Sequence, residues 1–273
     1  MLQKIVDYFD HIPSLHRALL VAGGIAFFWL IESAVPLFRF TYNKWKHASL
    51  NIFFTLTTIL VNFGFAFIIV LTSIWCKENS FGILYWTNMS LGVQLLTGLL
   101  LLDLIGAYLI HFIEHKIKWM WKLHIVHHAD TYVDTTTANR HHPGESVLRA
   151  VFTILAVFIT GAPLWLIMLY QTLSALLSQF NHANISLPLW LDKALSWFIV
   201  SPDMHKVHHH FVRPETDSNY GNIFSVWDRL FGTFRYKPVR DLKFGLDVLD
   251  GKPVETISTQ LKIPFDKTIK TDY

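Results

Sequence analysis

Three histidine clusters at helical spacing constrain this chain more than any other feature. His111-Phe-Ile-Glu-His115 sets two imidazoles at i and i+4. His124-Ile-Val-His127-His128 sets three at i, i+3 and i+4, and His205-Lys-Val-His208-His209 repeats that pattern. On an α-helix each set shares one face. Of 15 histidines, 12 lie between positions 111 and 210. One HxxxH is common without metal; two HxxHH motifs in addition predict that three helical faces meet around a cage. Eight neutral imidazoles there can hold two first-row transition metals and leave positions open.

The rest of the chain reads as membrane-embedded. Apolar residues make up 52% and charged residues 16%, with a mean hydropathy of +0.35, too apolar for an ordinary soluble domain. The net charge of +3 is small and scattered, which excludes a nucleic-acid partner. Cys76 is the single cysteine, so neither an internal disulfide nor a thiolate metal site is available. Lys4, Asp7, Asp10 and Arg17 precede the first apolar run, and no cleavable signal peptide is read.

Spans are predicted at Ala18–Phe38, roughly 48–75, and 91–110, the last continuing as one helix into the first histidine motif. Glu32 inside the first span is expected to face the bundle or the interface. The apolar stretch Val147–His182 is broken by Gly161-Ala162-Pro163. Histidine motifs precede and follow it, so it must enter and return as a re-entrant or tight hairpin. Pro188–Val200, with Trp190 and Trp197, reads as an interfacial helix. Arg39, Lys44 and Lys46, then Lys116, Lys118 and Lys122, set the histidine cluster on the cytoplasmic side by the positive-inside rule. The predicted fold is all-α: a polytopic membrane helix bundle with a cytosolic helical cap holding a histidine-rich dimetal site. Residues 1–90 form the N-terminal spans, 91–240 the catalytic region and 241–273 a soluble tail packed under the cage.

Further residues are candidates for supporting the cage. Asp103, eight residues before His111, either orients a ligating histidine from outside or makes a polar contact between helices. His142 and Glu145 brace the cage or its loop. His182 is either a ninth ligand or a hydrogen-bond partner of one, and Asn184 could hold a metal-bound water. His210 points off the shared face. His142-Pro143-Gly144 is similar to a haem-binding loop, but Glu145 stands where that loop has a second glycine, so haem is excluded.

Taken together, HFIEH at 111–115, HIVHH at 124–128, HHPGE at 141–145, NHANI at 181–185, HKVHH at 205–209 and NYGNIFSVWDRLFGT at 219–233 resemble the membrane fatty acid hydroxylase/sterol desaturase superfamily. The resemblance implies an integral membrane enzyme with two histidine-bound iron ions, which zinc can replace in a preparation. It implies use of O2 and two electrons to hydroxylate or desaturate a lipid or sterol. His111, His115, His124, His127, His128, His205, His208 and His209 become iron ligands, with no catalytic residue beyond the ligands. His182 matches a position of the metal shell, and Ser186 stands where some members have a further histidine. With no flavin, iron–sulfur or cytochrome b5 motif in the sequence, electrons would come from a separate cytochrome b5-like or ferredoxin-like donor. In an alkylglycerol monooxygenase-like ether-lipid oxygenase, they would come from a reduced pterin. The rival class is a non-catalytic zinc-binding membrane scaffold or a metal transporter. A structural zinc saturates with four ligands, and a transporter would carry its ligands near mid-membrane.

Overall fold

Backbone amides in a hydrocarbon layer have no water to bond, so an apolar run must satisfy them within its own segment, as a helix does. The computed structural model describes residues 1–252 and 254–271. Among them there is no strand, only isolated bridges joining Pro36 to Ile185 and Ile199 to Phe224. Four helical stretches among these residues are long and apolar enough to cross a membrane. The chain is an all-α integral membrane protein.

Helix α1 (Leu2–Asp10) precedes α2 (Ser14–Ala34). The first span therefore stops short of the expected Phe38. Pro36 disfavours a helical conformation in the residue before it, and Val35 has already left the helix at φ −131°. Helix α3 (Lys44–Glu78) begins where the Asn43 side chain accepts the Lys46 amide. Its 35 residues span about 52 Å, well beyond a hydrocarbon layer of about 30 Å. The excess projects at its N-terminal end. There His47 sits between Asp130 (2.8 Å) and Asp134 (3.2 Å), and Asn51 donates to Thr136 at 2.9 Å.

Helix α4 (Leu91–Asp103) passes through a π-helical turn (Leu104–Leu109) directly into α5 (Ile110–Lys116), so the third span runs unbroken into the first histidine motif. Helix α6 (Lys118–His128) carries the second motif. Helices α7 (Pro143–Thr160) and α8 (Leu164–His182) form the hairpin around Gly161, which is left-handed at φ +70°. Its turn packs on the C-terminal end of α3 and on the α3–α4 connector: Ser73 of α3 donates to the Ala162 carbonyl at 2.8 Å. A Cβ on Gly82 would lie 2.3 Å from the Gly161 nitrogen, and one on Gly161 would lie 2.3 Å from the Phe81 carbonyl oxygen. That connector is at the end of α3 remote from the histidines, so both arms of the hairpin run the full depth of the bundle.

The Gly82–Gly161 contact makes a testable demand. Gly161→Ala adds a left-handed non-glycine residue and a backbone clash, and is expected to destabilise the protein by about 1–3 kcal/mol. Gly23→Ala, with nothing within 4 Å of the added carbon, is the matched control. Thermal melts in detergent decide it; equal midpoints for the two variants would refute the close packing.

The cap is built from α6, α9 (Leu189–Leu195), α10 (Pro202–His208) and α12 (Ile257–Lys262), whereas α11 (Val226–Leu230) packs against the third span. Leu246, Leu249, Ile263 and Ile269 of the C-terminal region pack against Trp121 and Ile125 of α6. Glu32, buried near the C-terminal end of α2, pairs with Lys44 at 3.0 Å and accepts the amides of Thr135 and Asn184 at 3.1 and 3.0 Å. That carboxylate ties α2 to the cap.

Candidate metal centre

The three motifs converge. His111 and His115 come from α5, His124, His127 and His128 from α6, His205 and His208 from α10 with His209 as its C-terminal cap, and His182 from the end of α8. They divide into two buried groups. His111, His115, His124, His128 and His208 form one; His127, His182, His205 and His209 form the other. Within each group one nitrogen from every ring lies within 4.8 Å of the rest. The two HxxHH motifs are used in opposite senses. In α6 the i, i+4 pair serves the first group and the i+3 residue crosses to the second; in α10 the i, i+4 pair serves the second and His208 crosses to the first. Adjacent histidines diverge by about 100° around a helix, so each HH pair faces two centres at once.

The nitrogen atoms fit metal ions. His182 Nδ1 donates to the Ser178 carbonyl at 2.7 Å, which leaves Nε2 as a bare lone pair. That Nε2 faces the Nε2 atoms of His205 (3.0 Å), His209 (3.1 Å) and His127 (3.2 Å). Lone pairs converging in this way repel unless a cation lies among them. Ligands about 2.1 Å from one ion stand about 3.0–3.4 Å apart. Likewise His124 Nδ1 donates to Glu145 at 2.8 Å, and its Nε2 lies 3.1 Å from that of His128. Nε2 of His111 and of His208 are buried without a hydrogen-bond partner. Burial, reinforced by neighbouring imidazoles, holds His124, His127, His128, His205, His208 and His209 well below the usual histidine pKa, so these rings are neutral, as metal ligation requires.

Partners outside the rings set their orientation. His111 Nδ1 donates to the Tyr220 carbonyl at 2.8 Å and His208 Nδ1 to the Ser218 carbonyl at 2.6 Å. Asp217, held by Lys116 and the Tyr220 hydroxyl, lies 3.6 Å from His115 Nδ1. Glu145 also takes Arg149 at 2.9 Å, and Arg149 reaches on to Glu114. Of the residues singled out in the sequence, Glu145 thus touches a cage histidine and His182 lies inside the second group. His142 instead caps α7, accepting the Gly144 amide at 3.1 Å.

Two residues lie elsewhere. Asn184 staples the α2–α3 loop, accepting the Phe38 amide at 2.9 Å and donating to its carbonyl at 2.8 Å, because α8 ends before it and the chain turns away from the cage. Asp103 accepts the Ile223 and Phe224 amides and the Trp227 indole at 3.2, 3.1 and 3.1 Å and orients no histidine. The π-turn after it adds a residue and rotates the following helix by about 100°, which defeats an i+8 face argument. His210 bonds Lys243 and Lys237, outside the cage.

Sequence reasoning passed over Lys206 and His141. Lys206 is fully buried, and its ammonium donates to the carbonyls of Asn181, His182 and Ala183 at 3.2, 2.6 and 2.9 Å. The available signal was a lysine enclosed by three ligand positions. His141 packs its ring 5.1 Å from that of His127.

The fatty acid hydroxylase family model matches residues 95–233. Similar proteins include the ornithine lipid hydroxylase OlsE of Rhizobium tropici, 24% identical over 184 residues, 67% of this chain and 54% of that protein. The alkylglycerol monooxygenase of Caenorhabditis elegans is 28% identical over 46% of this chain and 24% of its own length. A cholesterol 25-hydroxylase-like protein of Danio rerio is 28% identical over 46% of this chain and 50% of its own. The chain thus spans about half, or less, of the length of these relatives. No solved structure matches.

Proposed function

This chain belongs to the fatty acid hydroxylase family, and from that premise we propose that it is an O2-dependent di-iron monooxygenase of a membrane lipid. The observation that carries the reading is the paired imidazole cluster, five nitrogens in one group and four in the other, at the edge of a membrane bundle. An all-imidazole donor set suits iron and leaves coordination positions for oxygen, and two bound irons would together supply the two-electron activation of O2. In balance, a C–H bond becomes C–OH while O2, two electrons and two protons yield the hydroxyl group and one water. Insertion of oxygen is favoured over desaturation because the similar proteins carry hydroxylase or monooxygenase names.

The protein's own residues hold and orient. Five imidazoles (His111, His115, His124, His128, His208) would bind one iron, and four (His127, His182, His205, His209) the other. The carbonyls of Ser178, Ser218 and Tyr220 and the carboxylate of Glu145 fix the Nδ1–H tautomer, so that Nε2 faces inward. Burial of every cage ring excludes bulk water. One cysteine cannot ligate an iron–sulfur cluster within these residues; a cytochrome b5-like or ferredoxin-like donor or a reduced pterin would supply the electrons. The basic residues flanking the spans support a cytoplasmic cage.

The test is lipid mass spectrometry of cells expressing the intact chain or His128→Ala under 18O2. A lipid that gains one 18O atom with the intact chain alone is the expected product. A product two hydrogens lighter and unlabelled would make the enzyme a desaturase. Identical lipids from both, with a reductase and iron supplied, would refute oxygenase activity.

A further inference from the structure

The segment after the third motif does more than return the chain to the cap. The span that contains α4 runs Leu91–Lys116. Asp103 lies about 18 Å along it from Leu91, inside a hydrocarbon layer of about 30 Å. Asp103 is fully buried, and its carboxylate holds Ile223, Phe224 and Trp227. Those residues therefore lie at its depth. Ile223 packs with Leu102, Ile105 and Leu166 of the membrane bundle, and Phe231 stacks on Tyr108 of the π-turn at 5.4 Å.

Non-helical backbone at such a depth survives only where the protein satisfies its polar groups, and the backbone amides of Tyr220, Gly221, Ile223, Phe224 and Ser225 all have protein acceptors. Asp228 accepts the Tyr220 and Gly221 amides at 2.7 and 2.9 Å. The Ile223 carbonyl takes the Val200 amide at 3.0 Å, and the Ser225 amide reaches the Phe198 carbonyl at 3.3 Å. The charge of Arg229 is covered by Trp197 and Phe234, whose rings lie 4.0 and 3.9 Å from it. Yet Leu230 and Phe231 are 66% and 54% exposed, with Val226 on the same face and Phe198 beside them at 75%. A segment wired internally for a low dielectric, but apolar on its outer side, is built to stand in hydrocarbon.

We infer that residues 222–231 form a membrane-immersed wedge whose Val226–Leu230–Phe231 face takes the acyl chains of bilayer lipids. Its Phe231 stacks on buried Tyr108, whose chain neighbour Leu109 is exposed on the spanning helix. It also joins the cage covalently: four residues before Asn222 the same strand of chain gives the Ser218 carbonyl to His208, and Tyr220 gives its own to His111. Lipid contact and ligand orientation thus share one short stretch of chain. The inference rests on the membrane fold and stands whether or not the cage carries iron.

Nitroxide labels at Leu230→Cys and Phe231→Cys test it in the full chain reconstituted in phosphatidylcholine vesicles. Cys76 is buried and remains unlabelled. Leu109→Cys, on the π-turn beside Tyr108, gives the lipid-depth standard, and Arg240→Cys, on an exposed turn of the cap, gives the aqueous one. Collision with O2 relative to a water-soluble nickel chelate is expected to match Leu109→Cys and exceed Arg240→Cys by about tenfold or more. Chelate collision at the Arg240→Cys level would overturn the inference by placing the face in water. Low collision with both reagents would also overturn it, by showing the face covered by protein.

Discussion

His208→Ala is expected to abolish turnover and strip metal from the five-imidazole group, whereas His210→Ala, two residues away, leaves both intact. The two side chains lie close in sequence and far apart in role. His208 is fully buried, its Nδ1 fixed by the Ser218 carbonyl and its Nε2 aimed among His111, His115 and His128. His210 faces the other way, toward Lys243 and Lys237. Loss of a partner outside the rings typically lowers metal affinity or activity by about 10–100-fold, so loss of a ligand should exceed that range. Metal-to-protein ratio after anaerobic iron loading, measured together with product formation, separates the two variants. Two metals and full turnover in His208→Ala would remove the five-imidazole group from the proposed mechanism; loss in both variants would point to a general collapse of α10.

The eight motif histidines were legible because helical periodicity alone puts i, i+3 and i+4 on one face. Their division between two groups was not legible. It depends on how α6 and α10 face each other, so that His127 crosses one way and His208 the other. His182 was located but not assigned, since its place among His127, His205 and His209 requires the whole hairpin to return. The hairpin turn was visible in Gly161-Ala162-Pro163, but its depth was set by backbone contact with Gly82, some 80 residues earlier, for which no local pattern exists. Of the two readings open for Asp103 the structure shows the polar contact, and the choice was not legible because a π-turn has no clear sequence signature and shifts every face downstream of it. Asn184 misled through proximity in sequence: two residues past the end of α8 the chain has already turned toward Phe38.

Lys206→Met should cost the four-imidazole group its metal while leaving the five-imidazole group loaded. An ammonium has three donors and no acceptor, and here all three are matched by the consecutive carbonyls that end α8, Asn181, His182 and Ala183. Lysine at a helix C-terminus is favoured by the dipole and by bonding to the last carbonyls. Here the lysine arrives from α10, between ligands His205 and His208, so one side chain registers His182 against the motif it must meet. Methionine fills similar space without donors. Losing charged hydrogen bonds is opposed by no longer burying an ammonium, so overall stability should shift by no more than about 2 kcal/mol. The end of α8 would nevertheless fray, His182 would leave its three Nε2 neighbours, and metal affinity at that group should fall by about 10–100-fold. Lys206→Arg keeps the charge, but a planar five-donor fork matches a cup of three carbonyls poorly, so an intermediate loss is expected. Iron or cobalt content after dialysis against a weak chelator should drop from two toward one per chain. If Lys206 acts through His182, a Lys206→Met/His182→Ala double variant should lose no more metal than His182→Ala alone. Retention of two metals by Lys206→Met, or additive losses in the double variant, would show that the buried ammonium does not set the position of His182.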